Sequence, residues 1–351
     1  MAAVGKIQYT NSSSGRVRFV MMFISTLLFT LFFAAIPISQ TFSQACCSGG
    51  VPVGGTLGLG TADAKSIQVL VTYDNNIIHD LMDRTKLLED ETRERQTRSA
   101  IAEINYGISD AWAITAFIPY VRQERSILGF QGSREFTVGE GLGDIILLLK
   151  YRILNPETNP DWHWVIGAGP KLPTGRSDLK NPNQLTMVAD MQPGSGSLDG
   201  FLWTYLQKSK LLGNKNLSGL LVTTFRKSGV NNTYNEVQRY QFGDDFQLNL
   251  GLNYNFFINW PMDVFFFARY RSQTVDLIDE NIFPGSGGKW VYAIPGINLN
   301  LSPNTAVRAA VELPVYRDLL GTQLTTTYRY TISMFFNIPF KNSAKVLPLN
   351  L

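Results

Sequence analysis

The groups in this sequence able to do covalent chemistry are few. There are two histidines, His79 and His163, and two cysteines, Cys46 and Cys47. Nucleophilic catalysis needs a serine, cysteine or threonine beside a base, most often histidine. His79 lies in the polar stretch NNIIHDLMD, read as a solvated loop, and His163 stands between Trp162 and Trp164 beside a short turn. The Gly-x-Ser-x-Gly elbow of hydrolases is missing. GEGLGD (139–144) shares only its glycines with a phosphate-binding loop, and a strand starting beside a turn needs such glycines too. Adjacent cysteines strain a disulfide. Lipid attachment at Cys46 expects leucine where Ser43 stands, and a soft-metal pair lacks further ligands. Both cysteines are therefore read as part of a glycine-rich lead. The residue types point away from catalysis: no catalytic residue, metal or cofactor is expected.

The remaining chemistry is charge, and its spacing is regular. Glu103, Asp144, Lys150, Arg152, Lys171, Arg269, Arg271, Arg308 and Glu312 each sit on the polar parity of an alternating segment. The clearest such segment is GDDFQLNLGLNYNFF (243–257). Phe246, Leu248, Leu250, Leu252, Tyr254 and Phe256 alternate with Gln247, Asn249, Gly251, Asn253 and Asn255. Alternate side chains of a strand point to opposite faces. Soluble strands run ~5–6 residues, whereas a tilted strand crossing a bilayer needs ~9–11. Turning a charge into lipid at mid-depth costs ~2–4 kcal/mol, so the charged parity belongs to a lumen. The nine charged residues are therefore the expected lumen lining, with the basic ones in excess and anionic solutes favoured.

About twelve such segments run from residue 65 to 340. Short turns rich in Pro, Asn, Asp and Gly alternate with longer polar connections at 74–96, 124–141, 174–197, 228–242, 272–288 and 317–324. That layout is the one of outer-membrane barrels. Trp112, Tyr120, Trp162, Trp164, Trp260, Tyr270 and Trp290 fall near strand ends, where lipid tails meet headgroups. In KWVYAIPGINLNL (289–301) the apolar parity switches at Pro295-Gly296, read as a bulge. DRTKLLEDETRERQ (83–96) reads as a solvated loop or a short helix, with a partner-binding role in an adhesin.

The 351 residues carry a net charge of +3, with 17% charged and 12% aromatic residues. Mean hydropathy is near zero, which excludes a bundle of membrane helices, and no basic cluster points to nucleic acid. Lys6, Arg16 and Arg18 precede the uncharged stretch 19–38, and Ser43-Gln44-Ala45 offers a cleavage site. The expected organisation is a signal peptide over 1–45, a flexible glycine-rich periplasmic lead over 46–64, a barrel over 65–340 and a tail over 341–351.

GLGDIILLLKYRIL (141–154), GAGPKLPTG (167–175) and QPGSGSLDG (192–200) carry a family likeness. A strand beginning Gly-Asp and ending Lys-Tyr-Arg, followed by Gly-x-Lys-Leu-Pro-Thr-Gly, resembles the outer-membrane family of the MetA-pathway of phenol degradation, also described as transporters. Here Pro170 stands between Gly169 and Lys171, and the tail after Phe340 departs from the usual terminal aromatic. The resemblance implies a barrel linked to passage of small aromatic compounds.

The sequence reading is thus all-β: a transmembrane antiparallel up-and-down barrel of about twelve strands in the outer membrane of a Gram-negative bacterium. It is read as a monomeric passive channel for small solutes, aromatic or anionic. A surface adhesin or structural barrel is the alternative, and an outer-membrane enzyme comes last. The partners implied are outer-membrane lipids, a small-molecule solute and the barrel-assembly machinery, with no nucleic acid.

Overall fold

Alternation of the kind seen in 246–256 has only one stable arrangement in lipid, a sheet with no free edge. The computed structural model has that form, and it describes residues 59–129, 132–154, 157–257 and 261–340. Every described residue belongs to one compact unit within Thr41–Leu351. The expected signal peptide, Cys46, Cys47, Trp260 and the tail 341–351 lie outside the described residues.

Twelve long strands form the wall: β1 (Ser66–Asp83), β2 (Arg93–Gly107), β3 (Trp112–Leu128), β4 (Ile145–Arg152), β5 (Trp162–Leu172) and β6 (Asp199–Lys208), then β7 (Leu217–Lys227), β8 (Asp245–Phe257), β9 (Pro261–Gln273), β10 (Gly288–Ser302), β11 (Thr305–Leu319) and β12 (Thr322–Pro339). Each pairs antiparallel with its neighbour in sequence, and β1 pairs with β12 from Ser66↔Pro339 to Asp83↔Thr322 to close the barrel. Short turns lie at one end and long connections at the other, which makes the short-turn end periplasmic.

The two faces separate as the pattern requires. Leu250, Leu252 and Tyr254 are exposed on the outer wall, while Asn249 and Asn253 are buried inside. Tyr328, Ile332, Met334 and Ile338 are likewise outward on β12, with Arg329, Thr331, Ser333 and Phe335 inward. Trp112, Tyr120, Trp162 and Trp164 are exposed outward as a boundary belt would be.

Four sequence expectations are corrected. Trp290 is wholly buried inside the barrel rather than at the lipid boundary, packed with Met82, Phe267, Tyr292 and Leu319. The parity switch in β10 is not a bulge at Pro295-Gly296, because register with β9 continues through Phe266↔Pro295 and Phe265↔Gly296. The inner face of β10 is itself apolar at Trp290, Tyr292 and Ile294, and this mimics a switch. The connection read over 74–96 shrinks, since β1 runs on to Asp83; His79 is in that strand, exposed, at a bulge. Residues 83–96 form neither helix nor open loop: Lys86–Leu88 folds back on β1, and β2 starts at Arg93.

Glycines inside the barrel make room for rings from the next strand. Phe267 faces Gly251 across β8 and β9, and a Cβ on Gly251 would sit 1.9 Å from its ring. Phe265 lies against Gly296 and Trp203 against Gly167 in the same way. Gly251→Ala is expected to destabilise the barrel by ~1–3 kcal/mol through overpacking, and adding Phe267→Leu should restore most of the loss. The temperature at which the compact folded band disappears on semi-native gels measures both.

Candidate functional site

The barrel interior holds the inward parity of every strand, and a bore of this strand number is narrow enough for side chains to fill much of it. One part of its wall is aromatic. Phe117 on β3, Phe201, Trp203 and Tyr205 on β6, and Ile146 and Leu148 on β4 form one buried cluster. Phe265, Phe267, Trp290 and Tyr292 on β9 and β10 form a second. Leu220 of β7 packs against both and joins them into a continuous apolar band.

A charged network runs beside this band. Asp74 of β1 meets Arg329 of β12 at 3.2 Å, Arg329 meets Glu312 of β11 at 3.8 Å, and Glu312 meets Arg269 of β9 at 2.5 Å. Arg269 in turn donates to the Asn249 amide oxygen of β8 at 2.7 Å. This chain crosses the closure between β1 and β12. Nearer the long loops, Arg271 pairs with Asp245 and its guanidinium lies 5.2 Å from the Trp290 ring, while Arg317 pairs with Asp80 at 3.3 Å.

The periplasmic end is occupied by the chain's own lead. Residues 46–64 read as a flexible segment, yet residues 59–64 are ordered at the short-turn mouth. Leu59 is buried, and its N–H donates to Glu103 Oε1 at 2.9 Å. Lys150 Nζ donates to the Leu59 carbonyl at 2.6 Å and lies 3.6 Å from Glu103 and 4.4 Å from the Trp203 ring. Asn105 donates to the Gly60 carbonyl and Arg152 to the Thr61 hydroxyl. A Cβ on Gly60 would meet His163 at 2.9 Å, so that histidine is a wall against the lead.

At the long-loop end, residues 187–197 are largely buried and tied to the wall. Lys171 Nζ lies 2.7 Å from Asp144 and 3.1 Å from Asp199, all three fully buried, and also donates to Ser195. Ser195 donates through both its N–H and its hydroxyl to Asp144 Oδ2, and Ser197 donates to Asp199. Gly175 and Gly194 approach so closely that a Cβ on either would strike the other's backbone. The three segments that carry the family likeness therefore meet at one buried knot. Farther along the loop, Arg95 of β2 holds Asp190 and Gln123. Gly139 faces the Met191 carbonyl and Gly143 the Pro193 carbonyl, which is what the glycines of GEGLGD are for. Above this, Tyr240 donates to Asp276 at 2.7 Å and Gly243 N–H to the same carboxyl; burial raises the pKa of Asp276 above the ordinary carboxylate range.

Of the nine sequence-named charges, Glu103, Asp144, Lys150, Lys171, Arg269 and Glu312 are buried and paired, and Arg152 and Arg271 are half-buried with partners. Arg308 differs: it makes no ion pair among the described residues and lies with its guanidinium 5.2 Å from the Phe265 ring. Sequence reasoning missed Asp74, Asp80, Asp199, Asp245, Arg317 and Arg329, although each stands on the polar parity. It also missed the aromatic inner wall, whose signal was the apolar run at Phe265–Phe267. Among the described residues, no group of histidine, cysteine and acidic side chains could hold a metal ion.

A closed antiparallel barrel with an apolar outer band and a polar, aromatic interior defines an outer-membrane β-barrel protein. The chain belongs to the family described as "Putative MetA-pathway of phenol degradation", whose model matches residues 91–330, more than half of its length. Its fold is similar to that of the COG4313 outer membrane channel from Pseudomonas putida F1, with a TM-score of 0.61, 12% identity, and 80% of this chain and 97% of that chain covered. The transport unit of the autotransporter AIDA-I from Escherichia coli gives 0.43 at 10% identity, covering 86% of this chain and 100% of that one. No curated protein matches the sequence.

Replacing Lys171 by Met is expected to leave buried Asp144 without a cation and Asp199 with only Arg226, 4.0 Å away, at a cost of ~3–5 kcal/mol. Arg176→Ala, which removes an exposed pair with Asp178, should change stability by less than ~0.5 kcal/mol. Urea titration of the refolded proteins in detergent, followed by tryptophan fluorescence, compares them.

Proposed function

We propose that this chain is an outer-membrane channel for passive passage of small aromatic anions, and not an enzyme. The observation that carries the reading is the inner wall. A general water-filled pore is polar inside, whereas this interior sets an aromatic band on β3 to β10 beside a charged network that runs from Asp74 through Arg329 and Glu312 to Arg269. A flat ring stacks on the first, and a carboxylate or phenolate meets guanidinium groups on the second. Arg308 combines both in one place: a cation without an ion-pair partner among the described residues, held over Phe265. The family description agrees with aromatic solutes. In this reading Glu103, Lys150, Arg152, Arg269, Arg271, Arg308 and Glu312 line the route, and Asp144 and Lys171 hold the outer loop.

The packed interior also favours a second reading, a barrel that serves as structure or as an adhesin, since residues 59–64 and 173–198 enter from the two ends. Flux separates the two. In proteoliposomes, benzoate is expected to pass faster than an uncharged sugar of similar size. Arg308→Gln should slow benzoate about tenfold, the effect of ~1.4 kcal/mol, with sugar flux unchanged. A correctly folded barrel that passes neither solute sinks the channel reading and selects the structural one.

A further inference from the structure

The outer wall is hollow where β6 to β9 meet on the periplasmic half. Gly219 and Ala268 form the floor of an apolar groove of about 460 Å³, flanked by Leu206, Leu250, Leu252 and Phe266. That volume falls within the ~300–1,000 Å³ of ligand sites. Gly219 lies opposite Lys208 on β6 and Leu252 on β8, near the start of β7, which puts the groove on the short-turn side. Its walls are lipid-facing, so whatever fills it comes from the bilayer side.

The charge beside the groove selects the occupant. Lys208 lines its end and holds its ammonium 4.4 Å from the Trp162 ring, with no ion pair among the described residues. A lysine on an outer wall reaches for the headgroup layer, and a tryptophan marks the same level. The adjoining turn adds Lys210, which pairs with Asp161 at 2.6 Å, and exposed Lys215. In that turn Leu212 is 91% exposed and holds a left-handed backbone with φ 53°. Apolar surface, an ammonium that forms no ion pair among the described residues and an exposed leucine thus occur together at one membrane edge.

We infer that this groove binds an anionic glycerophospholipid of the periplasmic leaflet, with an acyl chain between Leu206 and Leu252 and its phosphate at Lys208. Lys215 adds positive charge beside the headgroup. Lipopolysaccharide belongs to the other leaflet and does not reach this half of the wall. The inference rests on the membrane barrel and not on which solute passes through it.

Native mass spectrometry of the full, folded, delipidated protein tests this with phosphatidylglycerol and chain-matched phosphatidylcholine as probes. The wild type is expected to retain phosphatidylglycerol at several times the occupancy of phosphatidylcholine. Lys208→Gln should remove that preference. Gly219→Leu should reduce both lipids, because the space a Cβ would enter there is open, with Leu211 the nearest atom at 3.5 Å. Ala268→Leu fills the same groove and replaces Gly219→Leu if that variant fails to give the folded band. Equal occupancy of the two lipids in the wild type overturns the proposal, as does unchanged lipid retention in the groove-filling variants. A shift of the wild type to dimer on delipidation also overturns it, since a second copy would then be what covers the groove.

Discussion

The pairing of β1 with β12 is the contact on which everything else depends. A backbone N–H or carbonyl left open to lipid costs several kcal/mol, so no strand of this wall is stable until the last one meets the first. The register from Ser66↔Pro339 to Asp83↔Thr322 provides that closure along the full length of both strands. The Asp74–Arg329 ion pair crosses the same seam from inside, and Thr72 and Ser333 share a hydrogen bond there. Closure is thus made twice, once by the backbone and once by side chains.

A closed wall of twelve strands leaves a bore that side chains can reach across, and this governs the interior. Charges there are shielded from bulk water and need partners, which is why acids and bases alternate from Asp74 to Arg269. The same shielding explains the Asp144–Lys171–Asp199 knot. One cation between two carboxylates ties the loop 173–198 to the wall through Ser195 and Ser197. At the other mouth the backbone of residues 59–61 takes the place of a solute in satisfying Glu103, Lys150 and Asn105. Opening a route means exchanging those contacts for contacts with whatever passes.

The barrel and its strand number were legible because a period of two over long segments leaves little freedom. The sidedness of β12 and the outward belt at Trp112 and Trp162 followed from the same rule. What escaped the sequence has a common cause. Trp290, Tyr292 and Ile294 are apolar yet inward, so the assumption that apolar means lipid-facing fails where the lumen has a core of its own. Gly251 and Gly296 read as weak strand positions until the rings opposite them are seen. The seat of residues 59–64 gave no signal at all, since Leu-Gly-Thr-Ala is ordinary lead composition, and what it offers its partners is mostly backbone. The knot was visible only as motif segments far apart in the chain, with nothing in their spacing to show that Asp144, Lys171 and Asp199 converge.

The rings lying across glycines also act as a ratchet. The radius of a barrel is set jointly by the number of strands and by how far each slides along its neighbour. Slipping β8 along β9 by two residues would move Gly251 from beneath Phe267 and bring Asn249 or Asn253 there instead. A slip by one residue would turn Leu250 and Leu252 into the lumen. Phe265 over Gly296 and Trp203 over Gly167 set the same stop at two other seams. Phe267 and Phe265, each fitting only one notch, with Trp203 more loosely seated, therefore act as detents on the stagger of the wall, and through it on the width of the bore.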